Sequence, residues 1–391
     1  MITNIIYYKF IYFSHNNIMK TKNLHYYLTF SLFIFFILSI LSIYTAKNFV
    51  SVDNVVVKQI IFFGIGLILL YIGYRFKEEI IKYAFLWYIG LNILLLFLLI
   101  FGISVNGSKC WIFIGPFSFQ PSEFMKLSLI ILLAKIADTY KKKKQNFKNE
   151  VNFLFKIFLI LSIPSILTFL EPDTGVVIIY FIIAISIIFI HGINKKWYIF
   201  ISLILISLIS TVALLYFFNR DLLINILGSN IFYRIERILN WSSQTGYQLE
   251  NSLVVIASSG LVGFGINNIP LYFPEATTDF IFTTYTSMFG FIGTIFLLLI
   301  ILLFDSILIK LTKLRIKRID KYILSGVCGM IIYQQFQNIG MTIGLLPITG
   351  ITLPFISYGG SSLLSYMFIS GIILNIIVKR NSTINSTNQF F

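Results

Sequence analysis

The sequence predicts an all-α polytopic membrane protein with about ten transmembrane helices and a long extracytoplasmic loop between the seventh and the eighth. Three observations support this prediction. Hydrophobic residues make up 58% of the 391 residues and charged residues only 12%, and the mean hydropathy is +0.89, which excludes a soluble domain. Several apolar windows reach the roughly 20 residues that a helix needs to cross the hydrocarbon core. The alternating pattern of a membrane β-barrel is missing, so helices remain as the spanning element.

Hydropathy places the spans in order along the chain, separated by short charged loops. They cover residues 24–46, 55–74, 83–103, 121–138, 152–170, 174–191, 197–218, 280–305, 322–345 and 354–378. The chain therefore divides into a segment 1–23, a transmembrane domain 24–380 that includes the large loop 219–279, and a tail 381–391. Because Met19 is followed by Lys20 and Lys22, as at a natural start, residues 1–18 are expected to be a non-native or disordered extension.

Lysine and arginine are concentrated in alternate loops, and this distribution predicts the orientation. With the N-terminus in the cytoplasm, every alternate loop obeys the positive-inside rule, so both termini are expected in the cytoplasm of a multi-pass protein of the cytoplasmic (inner) membrane. The net charge of +15 has the same origin. Nucleic-acid binding is not expected, because no soluble segment combines a basic patch with exposed aromatic residues. Acidic residues gather on the predicted outer side: Asp53, Glu171, Asp173, Asp221, Glu236, Glu250, Glu275 and Asp279.

The stretch from Phe273 to Phe282 brings one acid, Asp279, to the start of the eighth span. It ends the longest polar interruption of the chain, which also carries Arg220, Arg234 and Arg237. A carboxylate at a membrane boundary near cationic side chains suits a base that faces a lipid-linked anionic substrate. The alternative is that this acid caps the helix or lies in solvent at its end.

The large loop also contains an apolar segment, residues 249–262, that is shorter than a full span. It ends in Gly260, Gly263 and Gly265, a pattern that predicts an interfacial or re-entrant helix followed by a tight turn. Two interpretations stay open, a lid packed on the bundle and an element that contacts substrate.

Prolines interrupt the chain around several polar residues before the fourth span. A helix that begins near Pro121 places Glu123 and Lys126 one turn apart on the same face, where they can form an ion pair. Pro116 and Gln120 precede this helix. The pair is either purely structural or part of a substrate site.

Two further motifs predict irregular backbone near the membrane surface. The EPDTG motif, residues 171–175, fits a tight turn between spans five and six in which Asp173 caps the following helix. Residues 344–366 contain Pro347, Pro354 and a Gly359–Gly360 pair at membrane depth. Such breaks are tolerated only where the backbone lines a cavity or is buried in protein, so this stretch predicts a cavity beside spans nine and ten.

These motifs resemble those of the SEDS family (shape, elongation, division and sporulation proteins), which contains the RodA and FtsW peptidoglycan glycosyltransferases. The matching pieces, in the family's order, are KCWIFIGPFSFQPSEFMKL, EPDTG, GYQLENSLVVIASSGLVGFG, FPEATTDFIF and NIGMTIGLLPITGITLPFISYGGSSLL. The last piece is closer to the RodA, or elongation, branch than to the divisional FtsW branch.

The resemblance implies an inverting glycosyltransferase that polymerises lipid II, the undecaprenyl-diphosphate-linked disaccharide peptide, on the outer face of the cytoplasmic membrane during cell elongation and rod-shape maintenance. It implies Asp279 as the catalytic carboxylate, which acts as the general base, and a class B penicillin-binding protein transpeptidase as the partner. No cofactor or protein-bound metal is implied, and a divalent cation is left open. The candidate substrate-binding residues are Lys109, Gln120, Glu123, Lys126, Arg234, Arg237, Thr278 and Ser357.

The sequence also departs from the family pattern at three places. Thr277 stands where many members have His, Lys109 where Arg is usual, and Ser287–Met288 where a Glu–Glu pair is common. These departures leave Asp279 in place but put an accessory acid role in doubt. Three alternatives are a flippase or transporter of lipid-linked precursors, a divisional FtsW-type paralogue, and a noncatalytic scaffold.

Overall fold

A computed structural model describes residues 23–49, 54–104, 108–115, 117–142, 146–239, 246–314 and 316–388. The predicted N-terminal extension 1–18 and Pro116 lie outside the described residues. Ten long helices run through the described part: α1 (Leu24–Ala46), α2 (Val55–Arg75), α4 (Ala84–Phe101), α5 (Pro121–Lys141), α6 (Phe147–Leu170), α7 (Thr174–His191), α8 (Lys195–Phe218), α12 (Ile281–Lys313), α13 (Arg318–Thr342) and α14 (Gly360–Asn388). The shorter elements are helices α3 (Lys77–Lys82), α9 (Arg220–Leu227), α10 (Ser229–Leu239) and α11 (Tyr247–Ser258), and strands β1 (Ile112–Ile114) and β2 (Phe117–Phe119).

The predicted all-α polytopic membrane fold is confirmed. Eight of the ten long helices in the described part are long and apolar enough to cross a membrane, and the other two are α5 and α13. These two carry buried polar residues and lie inside the bundle, where α5 packs against α4, α6, α7, α13 and α14. Neighbouring helices therefore shield their polar groups from lipid. The exact number of spans stays a prediction.

Most predicted span boundaries agree with the helices to within about five residues, and three differ by more. Helix α14 runs on to Asn388, well past the predicted end at residue 378 and into the predicted tail 381–391. Helix α12 runs on to Lys313, about two turns past the predicted end at residue 305. Helix α14 begins at Gly360, not at residue 354, because the backbone before it is not helical: Phe355 has a φ of 67°. The sequence also did not predict the antiparallel β1–β2 hairpin, in which Ile112 pairs with Phe119.

One end of the bundle collects the lysine-rich loops, and we call it the basic end. Its Lys77 and Asp320 form a buried ion pair between α3 and α13, and Lys379 of α14 pairs with Glu78 at 2.9 Å. Lys141 of α5 donates to the carbonyl of His191, the last residue of α7, at 2.8 Å. The loops that the sequence assigned to the cytoplasm therefore lie together. Which side of the membrane they face stays a prediction.

The predicted short helix and tight turn in the large loop are confirmed as α11 and the turn at residues 259–265. Gly260, Gly263 and Gly265 all have positive φ. This turn packs into a break in α12 at Gly290, which has a φ of 61° and a ψ of −157°. The amide groups of residues 264 and 265 donate to the carbonyls of residues 287 and 288 at 2.8 and 3.1 Å, and the amides of residues 291 and 292 donate back to the turn. The turn thus satisfies backbone groups that the broken helix leaves free.

Helix α8 stands apart from the other spans. None of the residues in its apolar window is buried. At its start Trp197 donates to Glu150 of α6 and Tyr198 to the Ile188 carbonyl of α7, and its other end packs against α9. A small cluster of Tyr216, Leu223 and Phe232 joins α8 to α9 and α10.

Candidate active site

The acid Asp279 lies in a tight turn, residues 273–280, that leads into α12. Phe273, Ala276 and Phe280 of this turn are buried against α11. The turn closes through the Phe280 amide, which donates to the Glu275 carbonyl at 3.0 Å. Its apolar residues therefore fix the turn to the bundle, and its polar residues are left to face elsewhere.

Three successive carbonyls of this turn accept hydrogen bonds from the C-terminal part of the chain. The Tyr358 amide donates to the carbonyl of residue 277 at 2.7 Å. The Ser357 hydroxyl donates to that of Thr278 at 2.6 Å, and the Asn338 amide group to that of Asp279 at 2.8 Å. The acid-bearing turn is thus held by α13 and by residues 343–359, the irregular segment between α13 and α14.

The Asp279 side chain faces a cavity of about 330 Å³ at the end of the bundle opposite the basic end. The predicted cavity beside spans nine and ten is therefore confirmed. The Oδ2 atom of Asp279 lies next to Gly350, and a Cβ added to this glycine would be 3.6 Å from that oxygen. The cavity is lined by Ser108, Cys110, Trp111, Gln120, Glu123, Pro172, Asp173, Val176, Ile179, Glu275, Thr278, Asp279, Gln334, Thr349, Gly350, Ile351, Thr352, Tyr358, Gly359 and Ser362.

Among the described residues, the cavity lining contains four carboxyl groups, of Glu123, Asp173, Glu275 and Asp279, and no lysine or arginine. Asp173 accepts from the Gln120 amide at 2.9 Å and caps α7 through the Val176 amide at 3.2 Å, so the predicted cap is confirmed. Glu275 accepts a hydrogen bond from the Thr278 hydroxyl. The acids therefore hold hydrogen-bond donors of the site in fixed positions.

Burial makes three acids at this end of the bundle, Asp279, Asp173 and Glu171, weaker than usual. The pKa of Asp279 is raised to about 7, mostly by burial and in smaller part by the nearby charges of Glu275 and Asp173. Burial also raises the pKa of Asp173 to about 6, although the Val176 amide opposes this. Glu171, behind the cavity wall, has a pKa of about 8 because of burial and Asp173. Near neutral pH, Asp279 is thus poised between its acid and base forms.

The predicted ion pair between Glu123 and Lys126 is present, with Nζ and Oε2 2.6 Å apart. Lys126 is completely buried, and its ammonium lies 5.3 Å from the centre of the Tyr366 ring. Gln334 in turn donates to the Tyr366 hydroxyl at 2.8 Å. The pair therefore belongs to a polar cluster at the cavity floor, and much of the lysine charge is neutralised by its partner.

The other predicted substrate-binding residues lie at different distances from the cavity. Gln120 and Thr278 line it, whereas Ser357 is buried behind the acid turn. Lys109 is half-buried between lining residues and is not itself in the lining. The side chains of Arg234 and Arg237 lie outside the described residues. Their roles, like that of Asp279, stay predictions.

Several cavity residues were not among the predicted site residues: Asp173, Glu275, Gln334 and Tyr358. A usable signal existed for two of them, since Asp173 lies in the EPDTG motif and Glu275 is four residues before Asp279. Gln334 gave no such signal, because a polar residue inside an apolar span does not show which neighbour it faces. Within the described part of the chain, no group of three or more His, Cys, Asp or Glu side chains is placed to hold a metal ion.

A protein-family model described as "cell cycle protein", built on FtsW, RodA and SpoVE, matches residues 21–382. The chain belongs to this family. It is the SEDS family that the motifs resembled, so that resemblance is confirmed. Four of the five matching motifs contribute residues to the cavity, and the fifth forms α11 and the turn that packs against α12.

Named relatives and solved structures agree with the SEDS assignment. The chain is 33% identical over 332 residues to the probable peptidoglycan glycosyltransferase FtsW of Coxiella burnetii, covering 82% of this chain and 85% of the relative. It is 32% identical over 342 residues to the stage V sporulation protein E of Bacillus subtilis, covering 82% and 86%.

Among solved structures, the chain superposes with a TM-score of 0.74 on a chain from a structure of a peptidoglycan synthase complex that coordinates polymerization and crosslinking. The identity is 25%, and the match covers 90% of this chain and 97% of the other. The RodA of Thermus thermophilus, at 24% identity and a TM-score of 0.64, has the same fold over 90% of this chain and 96% of its own. The likeness to FtsW and to the sporulation protein is one of sequence, whereas the likeness to RodA is one of fold, so the predicted closeness to the RodA branch stays a prediction.

Proposed function

We propose that this SEDS protein is a peptidoglycan glycosyltransferase that polymerises lipid II on the outer face of the cytoplasmic membrane. One observation carries the proposal: four family motifs that are far apart in sequence meet at a single cavity beside Asp279. The relatives named as peptidoglycan glycosyltransferases support the reaction class.

In the proposed reaction, Asp279 is the general base. It takes the proton from the 4-hydroxyl of one sugar as that oxygen forms a bond to the anomeric carbon of another. The bond from this carbon to the diphosphate breaks, and undecaprenyl diphosphate leaves as an anion that needs positive charge rather than a proton. A single displacement of this kind inverts the anomeric centre.

The leaving diphosphate requires cations, and the candidates differ in how free they are. Lys126 is paired with Glu123 inside the bundle, so its charge is partly used there. Lys109 is half-buried and lies in sequence between Ser108 and Cys110, which line the cavity, and we propose it as the second candidate. Arg234 and Arg237, on α10, complete the proposed set.

The direct test is glycan synthesis from lipid II by the purified protein. We expect Asp279→Asn to reduce polymer formation by at least about 100-fold, because the amide cannot accept the proton. A matched control is Asp305→Asn, the same change at a buried aspartate inside α12 that does not line the cavity. It should keep most of the activity. Normal polymer from the Asp279 variant would refute the assignment.

The same preparation tests the transport alternative. All lining residues belong to the end of the bundle opposite the basic end, which favours a site that works from one side of the membrane. Fluorescent lipid II should therefore be polymerised in proteoliposomes. Its passage across the bilayer without polymerisation would instead support a flippase.

For the partner, we propose a class B penicillin-binding protein. The support is the similarity to a chain described as part of a peptidoglycan synthase complex. Co-purification with the candidate transpeptidase and faster polymerisation in its presence would test this; an unchanged rate would contradict it.

For the cellular role, we propose elongation, on the strength of the motif between Asn338 and Pro354 alone. Several sequence relatives carry the divisional name FtsW. Depletion in the host cell should give rounded cells, whereas long filaments would assign the protein to division.

A further inference from the structure

Asn338 of α13 lies directly behind the acid turn and is fully buried. Its side-chain nitrogen donates two hydrogen bonds, one to the Asp279 carbonyl and one to the Ile351 carbonyl, both at 2.8 Å. Asp279 and Ile351 both line the cavity but come from different segments, before α12 and before α14. One amide group therefore joins two walls of the cavity.

The chemistry of this contact fixes the orientation of the amide. Its NH₂ group has two hydrogens, and two carbonyl oxygens accept them. Rotation of the amide by half a turn would place Oδ1 against both carbonyl oxygens, an arrangement with acceptors only. Since the site is buried, bulk water cannot supply the hydrogen bonds that the two carbonyls would lose, and this flipped arrangement would cost free energy. Asn338 is therefore held in one arrangement, and it transmits the position of α13 to the backbone of Asp279.

We propose that Asn338 is a positioning residue for the reaction: it sets where the Asp279 carboxyl stands relative to the residue 351 wall and thus to the sugar hydroxyl. The inference rests on the proposed function. Ser357 and Tyr358 hold the two carbonyls that precede Asp279, whereas Asn338 holds that of the acid itself. A shift of about 1 Å at a reacting group lowers the rate by about 100-fold, so a small movement of this carbonyl matters for turnover.

The test is Asn338→Leu, which keeps the branched shape of the side chain and removes its hydrogen bonds. Asn375→Leu is the matched control. Asn375 is a buried asparagine of α14 whose nitrogen donates to the Tyr74 carbonyl at 2.7 Å, near the basic end. The two variants thus lose a similar buried amide, one at the cavity and one far from it.

We expect Asn338→Leu to lower kcat for lipid II polymerisation by about 100-fold while changing KM by less than about threefold, because the acid is displaced but the remaining cavity lining is kept. Asn375→Leu should keep kcat within about threefold of the wild type. Thermal unfolding in detergent and binding of an unreactive lipid II analogue are measured on both variants. Retained analogue binding by the Asn338 variant shows that it is folded.

Three results would overturn the proposal. The first is a wild-type kcat in Asn338→Leu. The second is an equal loss of kcat in both variants, which would mean general loosening. The third is loss of analogue binding together with kcat, which would mean that Asn338 supports the fold rather than the position of the acid. Failure of the proposed function has a different signature, since the wild-type protein itself would then make no polymer.

Discussion

At the scale of single residues, the central feature is an aspartate whose surroundings keep its pKa close to neutral. Burial is the largest cause, and the like charges of Glu275 and Asp173 add to it. A base with a pKa near the working pH combines a useful ionised fraction with a strong pull on a proton. The cavity thus gives Asp279 the acidity that a hydroxyl-activating base needs.

The raised pKa leads to a prediction for the pH dependence of the proposed reaction. Only ionised Asp279 can accept a proton, so kcat/KM should rise with pH up to about 7 and then level off. Glu275→Gln removes a neighbouring negative charge, lowers the pKa of Asp279 and should move this limb to lower pH. Glu79→Gln, a change of an exposed acid at the basic end, is the control and should not move it. A profile that is flat from about pH 5 to about pH 8 would contradict the role of Asp279.

At the scale of elements, the break in α12 shows how a span and a loop depend on each other. A side chain at Gly290 would place its Cβ 2.4 Å from the Gly263 nitrogen, and the φ of 61° is unfavourable for any residue with a Cβ. We therefore expect Gly290→Ala to destabilise the protein by at least about 1–3 kcal/mol, measured by thermal unfolding in detergent. Gly64→Ala on α2, where nothing lies within 4 Å of the new Cβ, should be neutral. Equal stability of the two variants would show that the turn yields without cost.

Sequence patterns predicted the elements that depend on local chemistry, and missed those that depend on distant contacts. Pro121 at the start of α5 and the glycine turn after α11 are local signals, and both are confirmed. Gly290 looks like any glycine in an apolar run, because its break is set by a turn about 25 residues earlier in the chain. The β1–β2 hairpin has only three residues per strand, too few for a clear alternation.

At the scale of the whole molecule, the bundle has two chemically distinct ends. The sequence placed each site motif near the predicted outer surface, yet it could not show which of them share a cavity. Gln120 and Asp173 form a hydrogen bond although they are 53 positions apart in sequence, and Asn338 donates to the Asp279 carbonyl although 59 positions separate them. Such contacts follow from helix packing, which single-sequence patterns do not encode.

The two ends also yield a prediction for membrane orientation. In a background with Cys110 and Cys328 replaced by serine, Glu275→Cys should react with a membrane-impermeant maleimide in intact cells, with outer-membrane access provided where needed. Lys142→Cys, at the basic end and with a 62% exposed side chain, should react only after the inner membrane is opened. Both residues are exposed, so the contrast depends on the side of the membrane and not on burial. Labelling in the reverse order would invert the proposed topology.

The apolar window of helix α8 is not constrained by contacts with other parts of the described protein, unlike the residues around the cavity. Along this window no residue is buried by the rest of the described protein. Each position there therefore needs only a side chain hydrophobic enough to face lipid. Substitutions among Leu, Ile, Val and Phe in this stretch therefore have little to disturb, and its residue order is free to drift between lineages. The turn that carries Asp279 is held by specific hydrogen bonds, whereas the apolar window of this span makes almost no contacts that depend on which apolar residue is present.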